Sequence, residues 1–130
     1  MDADGIQQLL RPAAFDHPAG DIVLRETHIS WVILCGQFAY KIKKPVDFGF
    51  LDYSTLSRRR WFCEEELRLN RRFSAEIYLA VVAVTADRDG PRINGAGAVL
   101  DYAVQMRRFD EAQLLASIAA RGQLDPGLLR

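Results

Sequence analysis

Phe38-Ala39-Tyr40-Lys41-Ile42-Lys43-Lys44-Pro45 decides how the rest of the sequence is read. A strand sends successive side chains to opposite faces, so Phe38, Tyr40 and Ile42 point one way and Ala39, Lys41 and Lys43 the other. The first set is apolar and suits a core. The second combines one very small residue with ammonium groups, leaving room for a flat ring beside Ala39 and placing a cation where phosphates would lie. Lysine suits that contact because it is a compact point charge on a long stem. Taken alone, the same face also reads as an exposed strand surface with solubilising lysines.

Upstream, residues 21–29 and 30–35 are two runs rich in Val, Ile and Trp that read as strands, and Gly36-Gln37 is a hinge of hairpin length into the third strand. Before them, residues 5–12 form a short helix and Phe15 to Gly20 a turn. Downstream, Asp47 to Tyr53 is a loop, and Ser54 or Thr55 caps a helix that runs to about Phe73. Residues 76–85 are a nearly continuous apolar strand, and 98–106 are another, in which Leu100, Tyr102, Val104 and Met106 alternate with Asp101, Ala103 and Gln105. Between these two strands, residues 87–97 carry Asp89-Gly90-Pro91 and Asn94-Gly95 and read as turn. Asp110 caps a helix over 111–121, and Asp125-Pro126 opens a further one. The predicted fold class is α+β: a five-stranded antiparallel sheet with one long helix between strands 3 and 4. Residues 1–20 form an N-terminal helix and turn, 21–106 the sheet-and-helix unit, and 107–130 a helical segment after it.

The long helix carries Glu64-Glu65-Glu66. Counting about 100° per residue from Leu56 puts Glu66 at roughly 280°, between Phe62 near 240° and Cys63 near 340°, with Asn70 near 320°. Leu67, Leu69 and Phe73 complete that apolar arc, whereas Glu64 and Glu65 project outward. A carboxylate on the inner side of a helix is costly unless a cation meets it. Either Glu66 escapes at the edge of the stripe to solvent, Arg59 or Asn70, or it pairs with a lysine of the strand beneath.

Ala39-Tyr40-Lys41 with a helix glutamate resembles the strand-lysine and helix-glutamate pair of protein-kinase-like folds. A wider set of segments is more particular: Glu26 to Val32, Lys41 to Val46, Phe50-Leu51-Asp52, Cys63 to Arg72, Ile77-Tyr78-Leu79 and Tyr102 to Phe109. Together, over roughly residues 20–124, they resemble the aminoglycoside-phosphotransferase-like proteins of bacteria, whose kinase-like domain is often fused to a P-loop ATPase domain. The resemblance implies a kinase-like small lobe over residues 21–106, with the hinge and first helices of a truncated large lobe over 107–130. It implies ATP with magnesium as cofactor, Lys41 as the phosphate lysine and Glu66 as its helix partner, with Lys43 as the rival to Lys41. Ala39 would border the adenine, and Met106 and Arg107 would lie at the hinge whose backbone meets the adenine edge. Two departures stand out. Thr27-His28-Ile29-Ser30 replaces a Gly-rich phosphate loop, and the sequence has neither a His-x-Asp-x-x-x-x-Asn nor an Asp-Phe-Gly-like segment to supply base and magnesium ligands. The chain is therefore expected to bind nucleotide without transferring a phosphoryl group alone, its magnesium ligands and partner lobe lying elsewhere. The other class is a non-catalytic interaction or regulatory module. An open face around Ala39 together with a lysine–Glu66 pair favours the first reading, and a filled face or a missing pair the second.

Composition narrows the field further. With 130 residues, 49% of them hydrophobic, the chain is sized for one domain and one core. Seventeen basic residues balance seventeen acidic ones, so no field exists to draw in nucleic acid, and the arginines 58–60 fan out around a helix instead of forming a stripe. The acidic N-terminus lacks the apolar run of a secretory signal, and no stretch approaches the roughly 20 apolar residues of a membrane span. Cys35 and Cys63 fit neither a disulfide framework nor a metal spacing, which suits a reducing cytoplasm. His28, at a strand end, reads as structural. Leu114, Leu115, Ile118, Leu128 and Leu129 would leave apolar helix faces uncovered, so self-association is expected.

Overall fold

The computed structural model describes residues 1–72 and 74–108. Helix α1 (Ala3–Leu9) and a 3-10 turn at Pro12–Ala14 precede strands β1 (Ile22–Glu26), β2 (Ser30–Cys35) and β3 (Phe38–Lys43). Helix α2 (Leu56–Arg71) follows, and then strands β4 (Tyr78–Asp87), β5 (Gly90–Ile93) and β6 (Val99–Arg107). The strands form one antiparallel sheet in the order β1-β2-β3-β6-β4-β5.

Six strands replace the five expected, and the additional one is β5, inside the stretch read as turn. Both turn signals do operate there: Gly90 has φ +122° and Asn94 has φ 55°. The four residues from Gly90 to Ile93 nonetheless suffice for an edge strand, where a proline without an N–H is tolerated. Pro91 and Ile93 turn inward while Arg92 stays half-exposed, and β4 runs on to Asp87 to pair with them.

Both faces of the sheet are covered. On one, Tyr40, Ile42, Trp31, Ile33, Val84 and Ile93 pack with Ile6 and Leu9 of α1 and with Ala14, Phe15 and Ala19. Residues 1–20 thus contribute directly to the main core. The chain there also approaches the β2–β3 turn closely. Gly36 has φ +61°, and a Cβ on it would lie 2.3 Å from the carbonyl oxygen of Pro18, so glycine is required on both counts. On the opposite face α2 covers a second cluster of Leu34, Ala39, Cys63, Tyr78, Val104 and Met106. In β6 both sets of the predicted alternation are enclosed: Ala103 and Asp101 are as buried as Val104. Such two-sided covering removes the simple in/out pattern.

Helix α2 begins where Thr55 caps it, its hydroxyl accepting from the Arg58 amide at 3.2 Å. The helices expected at 111–121 and from Asp125, and the leucines and Ile118 on which self-association rests, lie outside the described residues. Among the described residues no helix is long and apolar enough to cross a membrane.

Candidate functional site

The register of the sheet lays out a floor beneath α2. Leu34, Ala39 and Met106 form one cross-strand row, Val32, Lys41 and Val104 the next, and Ser30 faces Lys43 at the end. Cross-strand neighbours share a face, so both lysines rise toward the helix. Arg59, Cys63 and Asn70 are the buried residues of α2, and Glu66 falls on the same side. The Asn70 side-chain amide donates to the Glu66 carbonyl at 2.7 Å.

Glu66 meets both lysines. Lys43 Nζ donates to Glu66 Oε1 at 2.7 Å, and Lys41 Nζ lies 3.4 Å from Oε2. The two cations differ in access: the Lys43 side chain is 3% exposed and that of Lys41 27%, with Glu66 at 12%. Lys43 also lies under the Tyr53 ring, 4.9 Å from its centroid. Burial by itself would raise the Glu66 carboxyl. The ammoniums of Lys41 and Lys43 outweigh that and hold it at about 2, against an ordinary 4.5. Burial pulls Lys43 down, and Glu66 more than restores it, so its pKa is raised and the ammonium stays charged. Burial pushes the neighbouring Cys63 thiol up to about 12, leaving it a neutral packing group.

The nucleobase side of the expected site is arranged differently. Ala39 is 5% exposed and enclosed by the cluster under α2, so the face around it is filled where an open one was expected of a nucleotide cleft. Met106 is buried across from Ala39. Arg107 is exposed, but its amide donates to the Ile77 carbonyl at 2.8 Å, and the Arg108 amide donates to the Gln37 carbonyl at 2.7 Å. His28 is exposed in the β1–β2 turn, where the Thr27 hydroxyl accepts from the amides of Ile29 and Ser30.

One buried charge pair was not anticipated. Arg59 Nε donates to Asp101 Oδ1 at 3.1 Å, and Arg59 Nη1 donates to the Tyr53 carbonyl at 2.9 Å. The Asp101 side chain is fully enclosed and also accepts from the Met1 amino group. The signal was available on the helix: Arg59 falls at roughly 300°, inside the inward arc. Its partner, 42 residues away on β6, carried no such mark.

No family model and no solved structure matches the chain. Over 109 residues, 82% of its length, the chain is 36% identical to an uncharacterized protein of Mycobacterium bovis and equally to uncharacterized proteins of two Mycobacterium tuberculosis strains, CDC 1551 and H37Rv. It spans about one fifth of the length of these relatives, 20% in each case.

Proposed function

We propose that the chain is the ATP-binding small lobe of an aminoglycoside-phosphotransferase-like small-molecule kinase, with Lys41 meeting the nucleotide phosphates. The observation that carries this reading is the position of Lys41. It stands beside a carboxylate held ionised by two cations, yet more than a quarter of its side chain remains open to solvent. A partly exposed lysine on a central strand, flanked by Val32 and Val104, is suited to an incoming phosphate oxygen. The strand order adds support, because β6 lies beside β3 and brings the chain leaving the sheet next to Ala39. Among the described residues no cluster of carboxylates, thiols or imidazoles is arranged to hold a cation, so magnesium ligands would come from other parts of the protein.

The filled face around Ala39 and the engaged amides of Arg107 and Arg108 favour a second reading, a non-catalytic interaction or regulatory module that keeps the ion pair as a structural element. Titrating Mg-ATP into the polypeptide as the cell makes it, by calorimetry, separates the two. The kinase reading expects saturable binding that Lys41→Ala abolishes. Equal affinity in wild type and Lys41→Ala removes Lys41 from the phosphate role. A complete lack of binding leaves the module reading.

A further inference from the structure

A carboxylate serving two lysines of the same strand is more than a kinase-like pair requires, and the asymmetry between the two contacts assigns them different tasks. Lys43 has the short bond, 2.7 Å to Oε1, and Lys41 the long one, 3.4 Å to Oε2, beyond the range of a strong charge-assisted hydrogen bond. The cover over Lys43 is anchored on both sides. The Tyr53 amide donates to the Val46 carbonyl at 2.7 Å, and the Tyr53 carbonyl accepts from Arg59, itself held by Asp101. Reaching Lys43 from solvent would mean dismantling that arrangement. Ser30 Oγ, buried on the same face across the ladder, has no hydrogen-bond partner among the described residues and so does not compete with Glu66 for Lys43.

We propose that Lys43 is a positioning residue. By neutralising Glu66 inside the fold, it allows the Lys41 ammonium to turn to an anion without leaving a buried carboxylate unpaired. With one lysine alone, Glu66 and a phosphate would have to share its three N–H groups, and any motion of the ammonium toward the phosphate would weaken the pairing of a buried carboxylate. With two, the carboxylate keeps Lys43 throughout. The inference rests on the reading of Lys41 as the phosphate contact. Its structural half, that Lys43 decides how firmly Glu66 holds Lys41, is independent of any nucleotide.

Trace acetylation with acetic anhydride, read lysine by lysine by mass spectrometry, tests it on the whole protein. Lys41 is expected to react faster than Lys43 in the wild type. In Lys43→Met, Glu66 turns to Lys41, and Lys41 labelling is expected to slow roughly fivefold, the weight of one additional partly exposed ion pair. Lys43→Arg retains the cation and is expected to label Lys41 at the wild-type rate. Lys43→Met combined with Glu66→Leu removes the captor and is expected to restore Lys41 labelling even if the single variant does not fold. Unchanged Lys41 labelling in folded Lys43→Met, equal slowing in Lys43→Arg, or slowed labelling in the double variant would each overturn the proposal. Protection of wild-type Lys41 by Mg-ATP reports separately on the phosphate reading. Its absence would sink that reading, while the variant series would still decide the role of Lys43.

Discussion

The two faces of β3 differ as much as two faces of one strand can. Tyr40 and Ile42 enter the α1-side core, where the Tyr40 hydroxyl meets His17 and Gln105. The Pro18 carbonyl can only accept, so His17 Nδ1 donates to it at 3.0 Å, and His17 Nε2 lies within hydrogen-bond distance of the Tyr40 hydroxyl, at 2.7 Å. The Gln105 side-chain amide donates to the same oxygen at 3.2 Å. The other face carries Lys41 and Lys43 against Glu66, with formal charge enclosed under a helix. One face satisfies a polar group with hydrogen bonds that could be exchanged for apolar packing at modest cost. The other commits to charges that must be removed together or not at all.

That difference predicts unequal losses. Glu66→Leu leaves Lys43 buried without its carboxylate, and chemical denaturation is expected to show a loss of about 3–5 kcal/mol. Adding Lys43→Met should recover most of it, since a matched apolar pair is often as stable as the ion pair it replaces. A double variant no more stable than Glu66→Leu would break the contrast between the faces. On the α1 side, Tyr40→Phe removes one hydroxyl and is expected to lose about 1–2 kcal/mol, with His17 and Gln105 each losing a partner. It should also change the alkaline limb of stability. Burial raises the Tyr40 phenol to about 12 from 10, so its contribution is complete below pH 10 and is lost as pH rises toward 12. A Tyr40→Phe protein with an unaltered alkaline limb would show that the buried phenol does not set it.

Much of this contrast is legible in the sequence, because it depends on period alone. Alternation along β3 separates Tyr40 from Lys41, and the helical period selects Glu66 from its two neighbours. What period cannot decide is which of two lysines on one face makes the tighter contact. That depends on Tyr53, brought over Lys43 by a loop closed through Val46 and Arg59. The filling of the space beside Ala39 depends likewise on Leu34, Tyr78 and Met106, which arrive from three other strands. β5 was hidden because glycine and proline mark turns by local conformation, whereas Pro91 and Ile93 owe their strand to pairing with Ala86 and Val84. Arg59 lay in plain view on the inward arc, but arginine reads as surface until an acid such as Asp101 is found within the core.

The most direct test of a helix and strand built around one shared carboxylate is the titration of the Glu66 carboxyl by 13C NMR. A folded-state pKa held below 4.5 means that the stability it contributes is present above that pH and is lost as pH falls toward 2. The expected midpoint is about 2, rising in Lys43→Met. A midpoint near 4.5 that is indifferent to both lysines would contradict the account.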